Sequence, residues 1–155
     1  MLYFVTGDLV NDKHYDFFCH QTDCHDQMEY GIAKRIADTY PIVAARDRQY
    51  HKLYAEGFVR KILGTILGNR TEDGRTCINM YARDGLRTDY MAFARCLALI
   101  RDDLCDLPDN VKVAFPDHIG CDIANGDWNI IRNLIEAFSR MIRQDVYIVR
   151  QAEVA

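Results

Sequence analysis

Ile119-Gly-Cys-Asp-Ile-Ala-Asn-Gly-Asp-Trp128 lies between an apolar strand-like run and an amphipathic helix pattern. Upstream, Val111–Phe115 is apolar enough for a strand in a sheet covered on both faces. Downstream, Trp128, Ile131, Leu134, Ile135, Phe138 and Ile142 recur at helical spacing. A strand, a glycine-containing loop and a helix N-terminus form a frequent phosphate site of α/β proteins. Backbone N–H groups are free there, and the helix dipole favours negative charge.

The same alternation continues on both sides of this stretch. Leu2–Thr6 reads as a short strand followed by Gly7-Asp8, and Tyr15–His20 as a second, aromatic-rich strand. Gly31–Tyr40 has helix spacing, with Ile32, Ile36 and Tyr40 on one stripe, and it stops before Pro41. Ile42–Ala55 continues as a second helix. Ile62–Gly68 and Thr76–Ala82 read as strands around Glu72-Asp73-Gly74, a hairpin-type turn signal. Thr88 is the expected N-cap of a helix whose buried side carries Tyr90, Phe93, Ala94, Leu97 and Leu104. Asp145–Val149 closes the pattern as a strand. Strands alternating with helices predict a three-layer α/β/α sandwich with a central mixed sheet, one domain over residues 1–155.

Composition narrows the partners. The net charge of −4 argues against non-specific binding to nucleic acid, which needs a basic face. No apolar run approaches the length of a membrane span, and Met1–Thr6 lacks the basic flank of a signal peptide. A cytoplasmic location is expected. Of the six cysteines, Cys77, Cys96 and Cys105 fall in regular elements and are expected in the core. Cys19, Cys24 and Cys121 fall near loops and stay open as candidates for chemistry.

Four segments sit where strands end, the place where open α/β sheets bind ligands. They are Gly7-Asp8-Leu9, then His20-Gln-Thr-Asp-Cys-His-Asp-Gln-Met-Glu-Tyr-Gly-Ile-Ala33, then Asn79-Met-Tyr-Ala-Arg83, and the 119–128 stretch. Together they resemble macro domains of the bacterial and phage branch. That branch carries Gly-Asp-Leu, His-Gln-x-Asn-Cys-Gln-Gly-x-Met-Gly-x-Gly-x-Ala, Asn-Leu-Phe-Gly-Gln and Ile-Gly-Cys-Gly-Leu-Ala-Gly-Gly-Asp-Trp in the same order. This chain keeps Gly7, Asp8, His20, Gln21, Cys24, Met28, Gly31, Ala33 and Asn79. It also keeps Thr88-Asp89-Tyr90, Ile119-Gly120-Cys121, Ala124 and Gly126-Asp127-Trp128.

The resemblance implies an ADP-ribose-type nucleotide as ligand; no cofactor and no resident metal are expected. It implies that Asp8, beside Leu9, faces adenine and that backbone around Met28, Gly31 and Ile32 touches the distal ribose. Gly120, Cys121, Asp122, Ile123, Ala124, Asn125 and Gly126 would wrap the diphosphate, and Tyr81 would pack against the ribose end. No protein partner is implied.

The chain departs from the family at informative places. Asp23, His25-Asp26, Glu29-Tyr30, Ala82-Arg83 and Asp122 replace mostly small or neutral residues. Two like charges about 4 Å apart repel by roughly 1 kcal/mol in water and about 4 at an effective dielectric of 20. Carboxylates turned toward a diphosphate therefore oppose binding, whereas Arg83 can pair with one of them or with a phosphate. The lysine and aspartate of family members that remove ADP-ribose from carboxylates are absent. For hydrolysis of an ADP-ribosyl or 1″-phosphate bond, the candidates are Asp23, His20 and Asp127. The alternative is a catalytically inactive module that recognises another ligand or a protein. A zinc site from Cys19, His20, Cys24, His25, His118 and Cys121 is a third, less favoured expectation.

Overall fold

The computed structural model describes residues 1–25, 28, 31–121 and 124–153. Seven strands form one sheet: β1 (Leu2–Gly7), β2 (Phe17–Asp23), β3 (Ile66–Arg70), β4 (Thr76–Asp84), β5 (Arg87–Thr88), β6 (Lys112–Pro116) and β7 (Asp145–Gln151). The spatial order is β1-β7-β6-β2-β4-β3, with β5 paired to the end of β4. The pairs β1·β7, β7·β6, β6·β2 and β2·β4 are parallel, whereas β3 and β5 run antiparallel to β4. The expected mixed sheet is present.

Among the described residues, four helices cover the two faces, α1 (Gly31–Thr39), α2 (Pro41–Ala55), α3 (Tyr90–Leu104) and α4 (Trp128–Arg140). Strand alternation sorts the core between them. Cys19, Ile78, Met80, Val113, Phe115, Val146 and Ile148 pack with Phe93 and Leu97 of α3 and Ile131 and Ile135 of α4. Phe18, Cys77, Ala114 and Val149 turn the other way, to Ile36 of α1, Tyr40 between the two helices and Val43 of α2. This is the three-layer α/β/α sandwich.

Several boundaries differ from expectation for local reasons. The strand expected at 62–68 begins four residues later. A turn precedes it, in which Thr65 N–H donates to Ile62 O at 3.0 Å and Gly64 takes φ +86°. β2 starts at Phe17 and runs to Asp23, past the expected end at His20. The cap of α3 is Asp89, whose carboxylate accepts from Ala92 N–H at 2.9 Å. Thr88, the expected cap, belongs to β5 and donates its hydroxyl to Gly120 O at 2.7 Å. Cys105, expected in the core, is exposed just past α3, where it donates to Asp102 O.

Candidate functional site

The carboxyl ends of β2, β6 and β7 open onto a cleft of about 230 Å³. Four parts supply most of its lining. The N-terminal turns of α1 contribute Gly31, Ile32 and Arg35; the end of β2 contributes Gln21, Thr22 and Asp23. The turn after β6 supplies Asp117 to Gly120, and the end of β7 supplies Val149 and Gln151. Gly31 begins α1 with φ +57°, a backbone state that glycine adopts without a Cβ penalty.

The loop ahead of α4 is closed at its base. Gly126 N–H donates to Gly120 O at 2.9 Å. A Cβ on Gly126 would lie 2.5 Å from that same oxygen, so no side chain fits there. Gly120 has φ +77°, and a Cβ on it would stand 2.9 Å from Gln21 Oε1 and 3.1 Å from Thr88 Oγ1. Gln21 Nε2 donates to Thr88 Oγ1 at 3.0 Å, Thr88 N–H to Ala124 O at 3.1 Å, and Asp127 N–H to the Tyr90 hydroxyl at 2.8 Å. The loop is thereby pinned to β2, β5 and α3. Asp122 and Ile123 of this loop lie outside the described residues, as do Asp26, Glu29 and Tyr30.

Several expected ligand residues do border the cleft: Leu9, Met28, Gly31, Ile32, Arg83, Gly120 and Ala124, with Asp23 among the catalytic candidates. Asp8 sits beside it. Its Oδ1 accepts from Val10 N–H, Asn11 N–H and Arg35, the last at 3.2 Å. Burial raises the Asp8 carboxyl, but the bonds from Asn11 and the Arg35 charge outweigh it and hold the group below its usual value. Cys121, Asn125 and Gly126 belong to the same loop without lining the cavity.

Asp23 is 2% exposed and is fixed on several sides. Its Oδ1 accepts from His25 N–H at 3.2 Å and Gly85 N–H at 3.0 Å, while Oδ2 lies 3.8 Å from the Arg83 guanidinium. This ion pair sits where the β2·β4 register slips, between Thr22 and Asp23, which re-aims both side chains.

Three expected residues lie elsewhere. His20 is fully buried in the layer under α2; its Nε2–H donates to Asn79 Oδ1 at 2.7 Å. Burial lowers its pKa to about 4, against the opposing pull of Asn79 and Asp47, so the ring is neutral near pH 7. Tyr81 is also fully buried and donates to Asp47 Oδ1 at 2.6 Å, with Asn79 Nδ2 donating to the Tyr81 oxygen at 3.3 Å. Burial and the Asp47 charge raise its phenol above the ordinary value. Tyr81 is not among the residues that line the cleft. Asp127 is the N-cap of α4, accepting from Asn129 N–H at 2.9 Å.

The six residues considered for zinc do not gather. Cys19 is core on the α3/α4 face, His20 is in the buried network, and His118 stacks on Trp128 at 4.8 Å beside Asp117. Cys24 and His25 do come together, with Asp84 as the third member.

Two cleft residues escaped the sequence reading although signals existed. Arg35 is four residues after Gly31, hence on the same helix face. Gln151 extends β7 beyond the expected end and pairs with Gly7. Arg75 is a third omission, of a supporting kind. It is buried, stacks 4.0 Å over Phe18, and donates to the carbonyls of Leu9, Val10 and Tyr15 at 2.6–2.8 Å. That guanidinium holds the post-β1 loop, with Asp8 and Leu9, against the body of the protein.

Solved structures share this architecture. The macrodomain of Mycobacterium tuberculosis DarG superposes with a TM-score of 0.79 at 19% identity, covering 99% of each chain. A macrodomain protein from Streptomyces coelicolor gives 0.77 at 22% identity, over 95% of this chain and 98% of that one. Thermosipho africanus DarTG, solved in complex with ADP-ribose, gives 0.70 at 14% identity, over 92% of this chain and 40% of that one. No protein-family model matches the sequence, and no curated protein matches it. The likeness establishes that this chain has the macrodomain fold. Among the described residues, no helix is long and apolar enough to cross a membrane.

Proposed function

We propose that the chain binds ADP-ribose, or a related ADP-ribosyl nucleotide, in the cleft at the strand ends. The observation that carries this reading is the Gly120–Gly126 loop base, closed by a backbone bond too tight for any side chain and leading into α4. Such a loop presents N–H groups ahead of a helix N-terminus, which suits a diphosphate. Arg35 and Arg83 add positive charge to the same cleft. The ADP-ribose complex of the Thermosipho protein supports the ligand class.

Binding is the core of the proposal, and turnover is its extension. Of the catalytic candidates, His20 is sealed under α2 and Asp127 is engaged as a cap, which leaves Asp23 at the cleft. An Asp23 carboxylate held by two N–H groups and Arg83 is well placed to position a ribose hydroxyl or a water. The inactive-module alternative is favoured by the same arrangement, because a buried carboxylate already engaged by Arg83 and two N–H groups has little of its surface left for a substrate.

Isothermal titration with ADP-ribose tests the proposal. One saturable site is expected, with affinity on the order of micromolar. No heat and no thermal shift would sink it. If binding is seen, turnover of ADP-ribose 1″-phosphate separates enzyme from binder. Loss in Asp23→Ala, with activity retained in Asp127→Ala, is the pattern expected of an enzyme.

A further inference from the structure

Strand order gives the cleft two unlike ends. Neighbouring strands stand about 4.8 Å apart, so β1 and β4, at the two ends of the run β1-β7-β6-β2-β4, are separated by roughly 19 Å. The Gly120–Gly126 loop follows β6, in the middle of that run. A ligand with a diphosphate on that loop therefore reaches both ways. The end at β2 and β4 is polar, lined by Asp23 and Arg83. The end at β1 and β7 is walled by Leu9, Ile32 and Val149, which suits the faces of a flat heterocyclic base.

The polar groups offered at the β1/β7 end are donors. Asp8, expected to face adenine, is not among the residues that line the cleft, whereas Arg35 and Gln151 are. Arg35 donates from Nη2 to Asp8 Oδ1 and from Nη1 to Gln151 Oε1, both at 3.2 Å. Asp8 Oδ1 also accepts from Val10 N–H and Asn11 N–H, and its Oδ2 accepts from Asn11 Nδ2 at 2.9 Å. The carboxylate's capacity of about four bonds is thereby filled. The other carboxylate near this end is Asp117, whose N–H donates to Val149 O; its Oδ1 lies 3.0 Å from His118 Nδ1 and is engaged there. With its oxygen on Arg35, Gln151 has its amide N–H groups to offer, and the two bonds engage only part of the Arg35 fork.

We infer that Arg35 makes the cleft select a 6-oxopurine nucleotide, with hypoxanthine or guanine as base, over its adenine counterpart. A guanidinium pairs in fork geometry with the O6 and N7 acceptors of a 6-oxopurine, as it does with guanine in nucleic acids. Adenine places an exocyclic N–H donor where O6 would be, donor against donor, and the carboxylate that would accept it is filled. The inference rests on the reading of the cleft as a nucleotide site and specifies the base. Arg35 is then a specificity residue, and Gln151 positions it by accepting from Nη1.

Titration with ADP-ribose and with inosine diphosphate ribose, which differ at the 6-position of the purine, tests it. The oxo nucleotide should bind more tightly, on the order of tenfold. Arg35→Met keeps the apolar stem of a half-exposed side chain, removes the fork and releases Asp8 Oδ1, so the preference should vanish or reverse. Arg35→Lys, which retains the charge without the fork, should lose most of the preference. The readout is a ratio of two affinities in one protein, so a merely structural loss of binding does not imitate it. Equal affinities, or tighter binding of ADP-ribose by the unaltered chain, overturn the inference and leave the nucleotide reading standing. Preference retained in full by folded Arg35→Met or Arg35→Lys overturns the role of Arg35. If neither nucleotide gives heat or a thermal shift, the nucleotide reading itself fails, and this inference with it.

Discussion

The two sides of β2 and β4 make an instructive pair. On the side of the cleft, Gln21, Asp23, Arg83 and the Gly120–Gly126 loop keep polar atoms near open space. On the α2 side, His20, Asn79, Tyr81 and Asp47 form an equally polar chain that is shut away from it, each at most 1% exposed. His20, Asn79 and Tyr81 fall in the same motif segments as Gln21, Asp23 and Arg83, yet only the latter border the cleft. A polar residue in a motif serves recognition or support according to the face its strand turns toward, and buried polar groups that satisfy one another specify packing.

This contrast can be broken by experiment. The largest effect is expected for Arg75→Met, which leaves the carbonyls of Leu9, Val10 and Tyr15 without their donors. At roughly 1–3 kcal/mol for each buried unsatisfied group, stability should fall by at least about 3 kcal/mol in urea denaturation. An effect near zero would mean that the post-β1 loop is held by something else.

The buried network should announce itself through pH. The His20 ring has its pKa lowered to about 4 from an ordinary 6.5. In the window between these values the unfolded chain takes up a proton that the native ring refuses. Its contribution is therefore present in full above pH 6.5 and is lost as pH falls through about 4. The loss amounts to up to about 3 kcal/mol, at 1.36 kcal/mol for each unit of pKa. Stability curves at pH 7.5 and 4.5 measure it, and His20→Gln should flatten the difference while leaving ADP-ribose affinity at pH 7.5 intact. A drop in affinity instead would make the two faces one site.

The sharpest change on the cleft side is Gly126→Ala. Its Cβ would press against Gly120 O, so the loop base must open. Overpacking of this kind costs ~1–3 kcal/mol, and ADP-ribose affinity should weaken on the order of tenfold or more by titration. Unchanged binding would remove the loop base from the ligand site.

Much of this architecture was legible in the linear pattern. Periods of two and of 3.6 residues, and the glycine-bearing turn before α4, depend on near neighbours and survive in the sequence. The misread boundaries were local competitions. The Gly64 turn interrupts an apolar run that looks like uninterrupted strand, and Asp89 outcompetes its neighbour Thr88 as a cap because Thr88 is drawn to Gly120 O. Arg75 carried no signal of its own, since a guanidinium after a hairpin turn is ordinarily a solvated residue.

The sequence by itself determined the alternation of strands and helices, the mixed sheet, and the positions where a phosphate loop and a helix start must fall. The strand and helix pattern follows from backbone chemistry and the spacing of apolar side chains; a phosphate at that loop is the proposal above. Only the tertiary structure decided which face each strand-end residue serves, that Asp23 is braced by Arg83 and two N–H groups, and that Asp84 joins Cys24 and His25. Those facts rest on the register between β2 and β4, including its slip after Thr22. Register couples residues some sixty positions apart, such as Asp23 and Arg83, through cross-strand pairing that a local sequence pattern does not encode.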